Sequence, residues 1–208
     1  MKYQLDESQE NDIPCTALYK PNMDCFSPSV IACFIITDGW NEQALLELKE
    51  KTEANILVGL QTDGNKYESL DIIEGVIRCQ PDEVNDVIEL LDVRSASTII
   101  GIDVVDVKSL FESGNLFQFI QVSATDNHES DMIKVATHKL VSLLTNAHDT
   151  KGLFVGMQSV QALPLESMAY VTEAVEGLLS GDEVSIYYSS NITDEFNAFG
   201  LKAIYAAE

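Results

Sequence analysis

The sequence predicts a mixed α+β and α/β fold, in which a short β-α-β unit precedes a C-terminal β-α-β-α-β-β sandwich. Three observations lead to this fold class. Apolar runs of strand length occur at 30–37 and 55–61, and such runs are typical of strands covered on both faces. Residues 116–124 alternate bulky with small or polar side chains, which is the period of a strand. From Glu129 onward the apolar residues follow helical spacing instead.

The first unit begins with the strand 30–37 and a turn at Asp38 and Gly39. Asn41 can cap the helix that follows, because its side chain accepts a hydrogen bond from a free backbone N–H. The apolar stripe of this helix consists of Leu45, Leu46 and Leu48. We expect the strand 55–61 to lie parallel to the first strand after a right-handed crossover.

A connecting segment follows this unit. Residues 75–79 are predicted to form a short strand, and Pro81 is placed to open a helix because its fixed φ suits a first helical turn. The apolar face of that helix consists of Val84, Val87, Ile88 and Leu91.

The C-terminal sandwich is predicted from the strand at 116–124 onward. Thr125 or Asp126 can cap the helix that starts near Glu129, and Asp126 with Glu129 fits a capping box. A strand at 152–158, a helix opened by Pro164, and strands at 183–190 and 200–206 complete the unit. This order of elements predicts helices on one face of the sheet.

Three segments follow from these assignments. Residues 1–28 are polar, acidic and interrupted by prolines, so we expect an irregular arm there. Residues 29–98 are predicted to form a small α/β unit with its connecting helix. Residues 99–208 are predicted to form the second domain.

Composition excludes several classes of function. The chain has 208 residues, of which 34 are acidic and 12 basic, and its formal net charge is -22. Such a charge repels nucleic acid and anionic lipid, since phosphate binding needs clustered Lys and Arg. The chain contains no apolar run near the roughly 20 residues that cross a bilayer, and its acidic N-terminus is unlike a signal peptide. We therefore expect a cytoplasmic protein that contacts neither nucleic acid nor membrane.

The cysteines and histidines predict no metal site. Cysteines stand at 15, 25, 33 and 79 without a CxxC pair, which zinc sites and redox motifs usually contain. His128, His138 and His148 recur every ten residues, a spacing that does not align them on one helix face. Ser123, Asp126 and His128 are close in sequence, but a capped strand-to-helix turn explains them better than a catalytic triad. We expect no cofactor.

From Glu47 to Glu208 the order of segments resembles FtsZ, the bacterial relative of tubulin. Residues 47–63 are similar to the helix and strand that precede the long central helix of that family, and residues 82–93 to the end of that helix. GIDVVDVKSLFESG at 101–114 resembles the loop after it, which typically reads NxDFxDV. Residues 99–208 then resemble the FtsZ C-terminal domain.

The resemblance assigns a possible role to two carboxylates. In the family, two acidic residues of this loop reach the nucleotide of the neighbouring subunit and help to position the attacking water. Asp103 and Asp106 stand at those places, whereas Gly101 replaces the Asn of the motif. The resemblance therefore implies a partner-contact loop. The local alternative is that both residues cap the short helix that begins near Val107.

The resemblance also shows a difference. FtsZ binds GTP with a loop that reads GGGTGTG, in which glycine permits close approach of the phosphates. This chain contains neither GG nor GxG, nor a GK[ST] phosphate loop. We therefore expect that the GTP-binding N-terminal part is truncated or lost and that the chain is not an enzyme.

Three functions are compatible with these observations. The first is a non-enzymatic FtsZ/tubulin-like protein that binds a protein partner, either FtsZ in cell-division filaments or itself. The second is a protein that stimulates GTP hydrolysis on a partner through Asp103 and Asp106. The third is a small-molecule-binding α/β module of two similar halves, because ILVGLQ at 56–61 resembles LFVGMQ at 153–158.

Overall fold

A computed structural model describes residues 14–64, 71–93, 97–125, 128–147, 149–179, 184–194 and 198–207. Nine strands and five α-helices lie within these ranges. In chain order they are β1 (Thr16–Tyr19), β2 (Ile31–Ile35), α1 (Glu42–Thr52), β3 (Ile56–Gln61), β4 (Gly75–Arg78), α2 (Val84–Leu91), β5 (Thr98–Ile100), α3 (Val104–Glu112), β6 (Leu116–Thr125), α4 (Glu129–Leu144), β7 (Gly152–Ser159), α5 (Leu165–Glu176), β8 (Ser185–Ile192) and β9 (Ala198–Ala206).

The described strands form one mixed sheet in the order β1-β2-β3-β4-β6-β9-β7-β8-β5. The first four strands and β6 run parallel to one another. β9 lies antiparallel between β6 and β7, while β8 is parallel to β7 and β5 antiparallel to β8. The predicted mixed α/β class is confirmed. Because Val76 of β4 pairs with Leu116 of β6, the sheet continues across the expected boundary between residues 98 and 99.

Helices cover both faces of the sheet. On one face α2 and α3 pack against side chains such as Phe117 and Phe119 of β6. On the other face α4 and α5 pack near Ile120 and Val122 of the same strand, and α1 lies on this face as well. The two helices of the C-terminal β-α-β-α-β-β unit, α4 and α5, pack on the same face, whereas α2 and α3, which precede that unit, cover the other face. Cover is needed on both sides because β2, β3 and β7 are apolar on both faces.

The N-terminal segment is more regular than expected. Residues 16–19 form β1, which pairs in parallel with β2 from Thr16 and Ile31 onward. The Thr16 hydroxyl donates a hydrogen bond to the Leu91 carbonyl at 2.8 Å, and Cys15 is buried. The prediction of an irregular arm over 1–28 is thus wrong for this strand, because its fixing contacts come from distant residues. Residues 1–13 lie outside the described ranges.

The cap predicted for α1 is present in the structure, whereas the cap predicted at Thr125 for α4 is not. Asn41 caps α1, and its Oδ1 accepts from Ala44 N at 2.9 Å, as predicted. α4 instead begins after His128, which makes no side-chain capping bond. β6 pairs with β9 through Thr125 and Ala198, so Thr125 stays extended and the predicted cap at that residue is wrong. Asp126 lies outside the described residues.

The two similar sequence segments occupy different surroundings. β3 carries ILVGLQ and lies between two parallel neighbours, β2 and β4. β7 carries LFVGMQ and lies between antiparallel β9 and parallel β8. The two segments therefore occupy non-equivalent positions in the sheet.

Candidate functional site

Asp103 and Asp106 lie at the first turn of α3, where they cap the helix reciprocally. Oδ1 of Asp103 accepts hydrogen bonds from Val105 N at 2.7 Å and from Asp106 N at 2.9 Å. Oδ2 of Asp106 accepts from Asp103 N at 2.9 Å. This is a capping box, which satisfies N–H groups that have no partner within the helix. The local interpretation of the two residues therefore describes their bonds correctly.

Capping fixes the two carboxylates at the protein surface. Asp103 is exposed and Asp106 half-buried. These capping bonds use Oδ1 of Asp103 and Oδ2 of Asp106, and a carboxylate has a second oxygen that can accept further bonds. The positive end of the helix dipole also favours negative charge here. A capping role and a contact role are thus compatible, because the cap holds each carboxylate in a defined direction.

Exposed apolar side chains lie close to this pair in the chain. Val105, between the two aspartates, is 68% exposed. Ile99 and Ile100, in β5 at one edge of the described sheet, are exposed as well. We name residues 99–106 the contact surface. Ile102 within this segment and Val107 directly after it are buried in the core, so the segment is anchored to the core.

A polar groove of about 570 Å³ lies on the α2 side of the sheet. Lys202 of β9 lines it and is only 7% exposed. Its ammonium contacts Asp86 Oδ1 at 2.7 Å and Glu89 Oε2 at 3.0 Å, both from α2. Sequence reasoning missed this group because α2 and β9 lie far apart in the chain and no motif links them.

Other residues named from the sequence do not form a site. Ser123 lies near the end of β6 and His128 precedes α4, while Asp126 and His148 lie outside the described residues. Among the described residues, no group of three or more His, Cys, Asp and Glu side chains is placed to hold a metal ion. No helix in the same ranges is long and apolar enough to cross a membrane.

Three of the four cysteines are buried. Cys15, Cys33 and Cys79 lie in the core, whereas Cys25 is exposed. Burial, with a smaller contribution from Cys79, raises the pKa of the Cys33 thiol to about 12. Burial, with a smaller contribution from Glu83, raises the pKa of the Cys79 thiol to about 11. These two thiols are therefore poor nucleophiles at neutral pH, since the thiolate is the reactive form.

Comparisons with known proteins show what the fold resembles. No protein-family model and no curated protein sequence matches the chain. Among solved structures, CetZ from Methanosaeta thermophila aligns with a TM-score of 0.59 at 9% identity over 87% of this chain and 62% of CetZ. The FtsZ W319Y mutant from M. jannaschii aligns with a TM-score of 0.52 at 17% identity, covering 86% of this chain and 56% of FtsZ. TubZ protofilaments in the GDP form, from Bacillus thuringiensis serovar israelensis, align with a TM-score of 0.51 at 10% identity, covering 86% of this chain and 61% of TubZ.

The chain therefore has an FtsZ/tubulin-like fold, as the sequence resemblance implied. It spans about 56 to 62% of the length of these structures. The expectation that the chain is not an enzyme is wrong, because the proteins that share its fold are FtsZ/tubulin-like GTPases. That expectation depended on the absence of a glycine-rich loop from the 208 residues, and an absent motif does not by itself exclude an activity.

Proposed function

We propose that the chain is an FtsZ/tubulin-like subunit that binds another subunit of the same fold through the contact surface, residues 99–106. The observation that carries this proposal is the reciprocal cap between Asp103 and Asp106, beside the exposed side chain of Val105. A cap alone does not require a large apolar side chain exposed between its two carboxylates. Exposed apolar groups beside fixed polar groups are typical of protein–protein interfaces.

The partner that best fits this surface is a second FtsZ/tubulin-like chain. The similar structures include TubZ protofilaments and an FtsZ dimer from M. jannaschii, the latter with a TM-score of 0.50 and 16% identity. The partner is either a copy of this chain or a longer FtsZ. An acidic protein of formal charge -22 repels its own copies at long range, so contact between copies depends on salt to screen that charge.

Co-sedimentation tests this function. The full chain is mixed with polymerised FtsZ, and separately centrifuged alone across a range of salt concentrations. We expect it to pellet with FtsZ, or to pellet alone as salt rises. Val105→Glu removes the exposed apolar side chain and places an acidic residue in the first turn of α3, where negative charge is favourable. It should abolish pelleting and leave the fold intact.

Leu46→Glu is the matched control. Leu46 lies on α1 and is 48% exposed, so the substitution makes the same chemical change on a different element. It should pellet like the original chain. Equal loss in both variants, or pelleting of neither the original chain nor the control, would exclude the contact surface as the binding site.

A second candidate function is stimulation of GTP hydrolysis on the partner. It is favoured by the position of Asp103 and Asp106, which match the acidic residues of the FtsZ loop and lie at the surface. A fixed carboxylate can orient water. Addition of this chain should raise the GTP turnover of FtsZ, and Asp106→Asn should remove the stimulation while pelleting persists. An unchanged turnover rate with bound chain would exclude this role.

A further inference from the structure

The groove beside Lys202 has the features of a ligand site, and we propose that it binds a small organic cation of the polyamine class. Its volume of about 570 Å³ lies within the range of small-molecule pockets. Strands β6, β7 and β9 and helix α2 all contribute to its walls. Because these elements belong to the central sheet and its cover, the groove has a rigid frame.

The charge of the groove favours a cationic ligand over an anionic one. The charged lining residues are Asp86, Glu89 and Lys202, which sum to a formal charge of -1 from two carboxylates and one ammonium. Lys202 does not offer free positive charge, since its ammonium already contacts both carboxylates, at 2.7 and 3.0 Å. A phosphate or carboxylate ligand would meet this local charge inside a chain whose net charge is -22. A cation is attracted both by the local charge of the groove and by the net charge of the chain.

The remaining polar side chains in the groove are amides and hydroxyls, which can accept hydrogen bonds as well as donate them. Gln121 Nε2 lies 3.4 Å from Asp86 Oδ2 and 3.5 Å from Glu83 Oε1. This orientation turns the amide donors toward carboxylates and leaves the Gln121 carbonyl as an acceptor. The Glu89 side chain is 66% exposed, and a carboxylate in that position can meet an incoming N–H group. A ligand with several N–H donors and positive charge therefore fits this lining.

Gly200 on β9 forms part of the groove and permits a test without any change of charge. A Cβ at this position would lie 3.5 Å from Gln158 Oε1 and 3.6 Å from Gln158 Cβ, which is ordinary van der Waals contact. Gly200→Val should therefore occupy groove volume without displacing the backbone. Valine also suits a strand, and β9 is paired on both sides at this residue.

The experiment is isothermal titration of the full chain with spermidine at low ionic strength. We expect one saturable site in the original chain. Gly200→Val and Glu89→Gln should each weaken binding by about tenfold or more, the effect of losing one charged hydrogen bond or the volume that admits the ligand. Glu50→Gln removes one charge from the exposed face of α1 and should change affinity by less than about twofold.

Two results would overturn the proposal. Equal affinity for spermidine in the original chain and all three variants would show that spermidine belongs to a diffuse counterion atmosphere around an acidic chain. A titration without a saturable heat signal would show that the chain has no spermidine site. Thermal melting of each variant, followed by circular dichroism, confirms that the fold is retained. Lys202 keeps both carboxylates in Gly200→Val and one in Glu89→Gln, so both variants should fold. The result is independent of co-sedimentation, which needs no spermidine.

Discussion

Asp103 and Asp106 each accept a hydrogen bond from the other residue's backbone N–H, at 2.9 Å in both directions. This reciprocal bonding joins local stability to the proposed contact surface. The capping role and the contact role of the carboxylates can be tested separately. An Asn side chain keeps the oxygen that caps the helix but removes the negative charge.

The cap predicts different stabilities for two substitutions at residue 103. Asp103→Ala removes the acceptor for Val105 N and Asp106 N and should lower the free energy of unfolding by about 0.5–2 kcal/mol. Asp103→Asn keeps an acceptor oxygen and should change it little, since Asn is also a good N-cap residue. Urea denaturation measures both. If Asn destabilises as much as Ala, the charge of Asp103 and not its cap stabilises α3.

The ion pairs of Lys202 predict that replacing its two carboxylate partners costs more stability than replacing the lysine itself. The ammonium is buried, whereas the side chains of Asp86 and Glu89 are 30% and 66% exposed. Asp86→Asn with Glu89→Gln leaves a buried cation without a charged partner and should cost about 3–5 kcal/mol. Lys202→Met leaves two carboxylates that water can reach and should cost less than about 1.5 kcal/mol. Denaturant unfolding of both variants checks the order, and the reverse order would contradict the described pairing.

Gly75 lies at a position in the core that leaves no space for a side chain. A Cβ on Gly75 would overlap the Phe111 ring and lie 3.1 Å from Cε2 of Phe117. The two rings already pack edge to face with centroids 5.0 Å apart, so neither can move freely. Gly75→Ala should therefore lower the melting temperature, with a loss of about 1–3 kcal/mol.

Gly64→Ala is the control for this prediction, because a Cβ there meets no atom within 4 Å. It should be neutral or slightly stabilising. A stable Gly75→Ala variant would show that the rings of Phe111 and Phe117 can separate.

The buried thiol of Cys33 predicts alkaline destabilisation. Its pKa is raised by burial to about 12, from an ordinary value of 9.0. Between these pH values the unfolded thiol loses its proton while the folded thiol keeps it. The stability that this thiol contributes is therefore complete below pH 9 and lost as pH rises toward 12, by about 1.4 kcal/mol per pH unit. Cys33→Ala should show a shallower decline in urea titrations over that range, and an equal slope would contradict the assignment.

Thiol labelling gives an independent measure of the same burial. Cys25 is exposed, and Cys15, Cys33 and Cys79 are buried. A neutral-pH thiol reagent should modify one cysteine rapidly and three only after denaturant is added, because reaction needs an accessible thiolate. Rapid modification of more than one site would show that the core opens in the native protein.

Features that depend on neighbouring residues were predictable from the sequence. The Asn41 cap, the strand–helix pair at 116–144 and the possible cap by Asp103 and Asp106 all involve residues within a few positions of each other. Local hydrogen bonds and periodicity are visible in order along the chain. The order of segments also indicated an FtsZ/tubulin-like fold, which the solved structures confirm.

Pairings between distant segments emerged only from the folded chain. β1 is held by contacts with β2 and Leu91, helices cover both faces of the sheet, and the groove needs Lys202 to meet α2. An apolar side chain gains a similar transfer free energy from any apolar partner, so composition and spacing do not specify which elements meet. The sequence thus specified local elements and their periods, whereas long-range packing chose their neighbours and brought separate charges into one groove.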